Sequence, residues 1–149
     1  MGGGMTVGNG GGGGILIAAN TFIGNSATSG GGIFTSSGGN TNTISGNIFE
    51  QNSGGAIYGT ASVLNIIDDL IVNGTSGSGI SVTPTTLLTL VNNTISGNST
   101  TGNGGGLSVS VGGTVEILNV YNNIIWGNSA SGNGADVYLA GTGSKKTFL

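Results

Sequence analysis

At 149 residues the chain is long enough for one domain, and its 34 glycines are about three times the ordinary share for a globular protein. Charged residues make up only 5%, arginine is absent and the net charge is −3, which excludes a basic surface able to neutralise nucleic-acid phosphates. With no cysteine and no histidine, the chain has no disulfide, no thiolate site, and neither the commonest metal ligand nor the commonest general base.

Residues 104–128 read as one complete turn of a parallel β-helix, and the other segments are variations on it. In chain order the coils are about 2–29, 30–53, 54–76, 77–101 and 102–132, with a partial sixth at 133–149. Coil one has Met5 and Val7 in its first strand, Ile15 and Ile17 in its second and Phe22 in its third. Its opening, Met1-Gly2-Gly3-Gly4-Met5-Thr6, fits an N-myristoylation pattern. Gly2–Gly4 align with Gly104–Gly106, however, and read as the coil's glycine cluster. Coil two carries Ile33, Ile44 and Phe49, and puts Asn42 in an inward slot held elsewhere by Ile or Leu. A buried amide needs partners, so an irregularity or a bend is expected there. Coil three, the shortest, carries Ile57, Leu64, Ile66 and Ile71, with Asp68-Asp69 at its corner. Coil four holds Pro84, the only proline, between its first and second strands, where a missing N–H harms no ladder. Coil five has Leu107 and Val109, a Gly112-Gly113 turn, Leu118 and Val120, an Asn122-Asn123 corner and Ile125. Coil six opens at Gly134–Val137 and reaches a second strand at Thr147-Phe148-Leu149.

Sliding one coil along the next fixes the register. The first-strand anchors Met5, Ile33, Ile57, Ile80, Leu107 and Val137 are 28, 24, 23, 27 and 30 residues apart. The corner residue is Asn20, Asn47, Asp69, Asn93 or Asn123; two residues on stands Phe22, Phe49, Ile71, Ile95 or Ile125; three further stands Asn25, Asn52, Gly74, Asn98 or Asn128. Length differences fall in the loops, as stacking requires. The corner asparagines suit left-handed bends and can bond to one another along the axis. With strands about 4.8 Å apart, six coils make a rod roughly 25–30 Å long. Coil one has no cap and coil six stops mid-coil, so the chain is expected to be a segment of a longer solenoid or to stack end to end with other copies.

Phe22-Ile-Gly-Asn25 and Phe49-Glu-Gln-Asn52 resemble the FxxN repeat of the polymorphic outer-membrane proteins, and Gly54-Gly55-Ala56-Ile57 resembles their GGAI repeat. More broadly, Asn93-Thr-Ile-Ser-Gly-Asn98 followed by a glycine cluster is similar to the coils of secreted right-handed parallel β-helix repeat proteins, including autotransporter-type passengers. That resemblance implies an all-β, right-handed, single-stranded β-solenoid with three short strands per coil, located outside the cell or on its surface and often adhesive. The hand agrees with the general preference of parallel connections. No signal peptide is visible in the chain.

The same fold class hosts polysaccharide lyases and hydrolases, so catalysis has to be weighed. The acidic residues are Glu50, Asp68, Asp69, Glu116 and Asp136. Only Asp68 and Asp69 are adjacent, and by register they replace Asn92-Asn93 at a corner, so as a Ca²⁺ site they lack the several oxygen ligands expected. The reading is a non-catalytic structural or adhesive segment without cofactor. The alternative is a carbohydrate-binding or carbohydrate-active β-helix with catalytic residues outside this segment. Outward first-strand residues Phe34, Tyr58, Thr60, Thr83, Ser108, Ser110 and Tyr138 form a candidate ligand face, for a polysaccharide or a cell-surface partner, against the plainer reading of a solvated sheet. Outward third-strand residues Ile23, Ile48, Leu70, Val72, Ile124 and Trp126 form a candidate interface. Self-association through that stripe or through the open ends follows; direct membrane insertion does not, because no apolar run nears the ~18 residues a span needs.

Overall fold

Residues two apart on a strand share a face. Here each apolar alternation is only a few residues long and ends at a Gly or Asn bend, so a strand can bury its apolar face only by stacking on the same strand of the next coil. The computed structural model describes residues 2–9, 13–84, 86–111, 117–141 and 145–148. Met1, the Gly112-Gly113 turn, Glu116 and Leu149 lie outside the described residues. All regular structure among them is strand, and every strand pairing is parallel, as in a β-solenoid of five coils and a partial sixth.

The expected register holds in every described coil. Met5, Ile33, Ile57, Ile80, Leu107 and Val137 pair in succession on the first face. Ile17, Ile44, Ile66, Leu90, Val120 and Phe148 do so on the second, and Phe22, Phe49, Ile71, Ile95 and Ile125 on the third. The inward side chains make one core, with Ile33, Ile44, Phe49, Ile57, Ile66, Ile71, Leu90 and Ile95 all fully buried. Phe22 and Phe49 stack with ring centroids 5.0 Å apart.

Three details differ from the expectation. In coils two and three the first and second strands are continuous, as Ile33–Ser45 and Ile57–Ile67, the former running through Gly38-Gly39. The irregularity expected beside Asn42 is present, as a bulge between Ser37 and Thr41 that absorbs the extra residues of coil two. Asn42 nevertheless keeps its inward slot between Ile15 and Leu64, where its amide donates to the buried Thr35 hydroxyl at 2.7 Å. Thr35 shares the inward face of Ile33 and is fully buried, while the Asn42 Oδ1 has no hydrogen-bond partner. A further short pair, Ser99–Thr100 with Ser129–Ala130, follows the third strand, and the sixth coil's second strand starts earlier than expected, at Lys145.

The glycine clusters have two causes. Gly104 has φ +68°, a region costly for a side chain. Gly106 has no such constraint, but a Cβ there would stand 2.7 Å from the Asn128 amide nitrogen and from the Asp136 carbonyl oxygen.

Candidate functional site

Two polar ladders flank the third strand and hold the coils at fixed spacing. The leading ladder is the corner: Asn20, Asn47, Asp69, Asn93 and Asn123. Asn20 donates both its backbone N–H and its side-chain amide to Asn47 Oδ1, at 2.9 and 3.2 Å. Asn93 does the same to Asn123 Oδ1, at 2.9 Å each. The trailing ladder repeats the pattern, with Asn25 on Asn52 Oδ1 and Asn98 on Asn128 Oδ1. Each amide nitrogen also reaches back to a carbonyl of the preceding coil: Asn47 to Ile17, Asn93 to Ile66, Asn98 to Ile71 and Asn128 to Ile95. One asparagine thus ties three coils together. The left-handed bend belongs to the residue before the corner, namely Ala19, Gly46, Asp68, Asn92 and Asn122. The corner pair therefore divides its labour: the first residue turns the chain and the second bonds.

This division separates the two adjacent aspartates. Asp68 turns outward and is exposed, whereas Asp69 is 2% exposed within the ladder. Asp69 Oδ1 accepts from the Asn47 backbone at 2.6 Å and from its amide at 2.9 Å. Burial, reinforced by the Asp68 charge and opposed by the Asn47 hydrogen bonds, pushes the Asp69 carboxyl up to about 6. The pair does not converge on a common point where it could chelate Ca²⁺, and among the described residues no group of three His, Cys, Asp or Glu side chains comes together.

Asp136 has a role that the repeat alone did not disclose. It occupies the position held by Gly4, Gly32, Ala56, Gly79 and Gly106 in the other coils. From there its carboxylate accepts from the Asn128 backbone and amide, at 3.0 and 2.9 Å, in the manner of a further ladder residue. The signal was an acidic side chain in a slot otherwise reserved for Gly or Ala.

On the first face, Phe34 and Tyr58 are neighbours and stack at 5.4 Å. Tyr58 then pairs with Ser81, Ser81 with Ser108, and Ser108 with Tyr138. Two tyrosines three coils apart, about 14 Å at the usual strand spacing, thus bracket a floor of serines. A shallow cavity of about 230 Å³ opens beside them, lined by Tyr58, Ser78, Ser81, Asn103 and Ser108 among others. It adjoins one of about 370 Å³ walled by Thr75, Ser99, Thr100, Ser129 and Ser131. Thr60 is half-buried and Thr83 and Ser110 exposed, outside both cavities.

On the third face the outward residues form two columns: Thr21, Ile48, Leu70, Thr94, Ile124, and Ile23, Glu50, Val72, Ser96, Trp126. Ile124 is 63% and Trp126 72% exposed; Ile23, Ile48 and Leu70 are also exposed, and Val72 is half-buried. Thr94 and Ser96 in coil four divide the expected stripe into two patches. Leu16 and Ile117 on the second face are exposed too and had not been singled out by the repeat.

Stacked parallel coils with asparagine ladders define a β-solenoid repeat protein. The family model described as right handed beta helix region matches residues 1–148, and the chain belongs to that family. No curated protein and no solved structure matches it.

Proposed function

We propose that this chain is a non-catalytic structural segment of an extracellular or cell-surface β-solenoid, adhesive in kind, whose third face packs against an apolar surface of another polypeptide. The observation that carries this reading is the exposure of Ile124 and Trp126 side by side on one rigid strand. Large apolar side chains held in contact with water favour a partner that covers them. The FxxN and GGAI motifs, similar to those of polymorphic outer-membrane proteins, support the surface location. The test is sedimentation velocity across a concentration series, with circular dichroism on the same samples. The expected result is self-association that the double variant Ile124→Ser, Trp126→Ser abolishes while keeping the β spectrum. A wild-type chain that stays monomeric at every concentration, with Trp126 emission unchanged, overturns lateral packing between copies. Antibody labelling of intact producing cells checks the location.

A second reading, contact with a polysaccharide, is favoured by the tyrosine-bracketed serine floor. Aromatic faces pack on sugar rings and hydroxyls bond to theirs, and the spacing of Tyr58 and Tyr138 suits two to three rings. Titration of soluble polysaccharides followed by tyrosine fluorescence should give saturation that Tyr58→Ala and Tyr138→Ala each weaken. Unchanged fluorescence with every polysaccharide removes this reading.

A further inference from the structure

Asp69 is the one carboxyl in a ladder otherwise built from amides. At every other described rung the second side-chain atom is an amide nitrogen that donates. At the two end corners it donates to the carbonyl two residues back, as Asn20 to Ala18 and Asn123 to Tyr121. It also donates to the preceding coil's carbonyl, as Asn93 to Ile66, and to the next coil's Oδ1. At Asp69 that atom is Oδ2, which is buried and has no hydrogen-bond partner. By register with Asn47 and Asn93, the corresponding groups are the Ile44 carbonyl and Asn93 Oδ1. The last of these already faces Asp69, because it accepts the Asp69 backbone N–H at 3.0 Å. By register an ionised Oδ2 stands where the asparagine rungs place a donor, whereas a protonated Oδ2–H supplies that donor; the Asn47 and Ile67 hydrogen bonds that favour the ionised form are outweighed by burial.

We propose that Asp69 is a proton-operated joint: as a neutral acid it completes the leading ladder between coils two and four, and its ionisation loosens the solenoid at coil three. The charged and titratable surroundings are sparse. Among the described residues Asp68, next in the chain, is the one ionisable group acting on it; coil two presents the Asn47 amide, coil four the Asn93 Oδ1, and the inward neighbours Ile66 and Ile71 are apolar. Among the described residues no lysine lies beside the carboxylate, since Lys145 and Lys146 sit in coil six. The folded-state value near 6 lies above the ordinary 3.8, so the folded chain holds a proton that the unfolded chain has released. Stability from this group is therefore full below about 3.8, falls as pH rises through the interval, and is gone above about 6. Between pH 4.5 and 7.5 the folding equilibrium constant should drop about 25-fold through Asp69 alone.

The experiment is equilibrium urea unfolding of the wild type, Asp69→Asn and Asp68→Asn at pH 4.5 and 7.5. Asp69→Asn restores the amide rung, so it should lose the 25-fold component and be the more stable protein at pH 7.5. Asp68→Asn should keep the pH dependence. Because a variant can fail to fold, the Asp69 carboxyl is also titrated in the wild type by carbon NMR, where a midpoint near 6 is expected. The same pH dependence in Asp69→Asn, or a wild-type midpoint at or below 4, overturns the proposal. So does recovery of stability at pH 7.5 on adding Ca²⁺ or K⁺, which would make the occupant of the joint a metal ion and not a proton.

Discussion

Asn98 offers the most direct test of whether the asparagine ladders hold the coils together. Its side chain is fully buried and makes four hydrogen bonds. Oδ1 accepts the Gly74 N–H at 3.0 Å, and the amide donates to Ile71 O, Ser96 O and Asn128 Oδ1 at 3.1, 3.2 and 3.0 Å. Asn98→Ala removes all four. The Gly74 N–H is then stranded in a buried position, at about 1–3 kcal/mol, and the other bonds contribute roughly 1 kcal/mol each before carbonyls find alternatives. Asn128 Oδ1 is spared because it retains the Asn98 backbone N–H at 3.0 Å. A net cost of about 4 kcal/mol is expected, a large part of the roughly 5–15 kcal/mol that holds a domain folded. Urea unfolding followed by circular dichroism measures it, and hydrogen exchange at Gly74 locates it. Asn133→Ala is the control, since the Asn133 bond to Asn103 Oδ1 comes from its backbone and survives. A cost below about 1 kcal/mol for Asn98→Ala, or equal costs for both variants, would show that water replaces the ladder and refute the reasoning.

Other substitutions probe separate parts of the same construction. Asn98→Asp should transplant the behaviour of Asp69: folded at low pH and destabilised as pH rises, read from melting curves between pH 4.5 and 7.5. Phe49→Ala removes a fully buried ring that stacks on Phe22, and should cost about 3–5 kcal/mol in urea unfolding. Phe49→Leu should cost less than half of that, because the same column accepts Ile71, Ile95 and Ile125. Ala19 has φ +56° at the bend where coil two has Gly46, so Ala19→Gly should raise stability by up to about 1 kcal/mol, a rise visible in the thermal midpoint.

What was legible in the sequence was whatever recurs. Phe22, Phe49, Ile71, Ile95 and Ile125 share a spacing from the corner residue, and stacking turns a shared spacing directly into a shared neighbour. Asn42 was legible as an exception but not in its solution. The hydroxyl that accepts from its amide belongs to Thr35, which shares the inward face of Ile33, and the Asn42 Oδ1 stays buried without a partner. The ladder direction was not legible either, because Asn-Asn, Gly-Asn and Asp-Asp look equivalent as bend formers. Only the backbone shows that the first of the pair takes the left-handed turn. Asp136 escaped because its partner Asn128, at the end of coil five, lies only eight residues before it across the join into coil six, and a comparison of coils reads only coil-length separations.

The same logic bears on where function can reside in such a rod. Inward positions are committed to the columns, and the residues beside the third strand are committed to the ladders, so variation without cost is confined to the outward faces. On the first and second faces many outward positions carry Ser, Thr or Asn, which favour water. Ile124 and Trp126 depart from that pattern together, on one strand, between a ladder rung at Asn123 and another at Asn128 that fix the strand from both sides. A pair of apolar side chains held this rigidly loses little conformational freedom when covered, so most of the gain from excluding water is retained as binding. That is the property of an anchor, and it ties the lateral-packing function to the ladders: loosening either rung should weaken association before it unfolds the chain. Asn123→Ala therefore provides the final prediction. Sedimentation should show its self-association reduced at temperatures where its circular dichroism still matches the wild type. Association that persists until the fold itself is lost would separate the ladder from the interface.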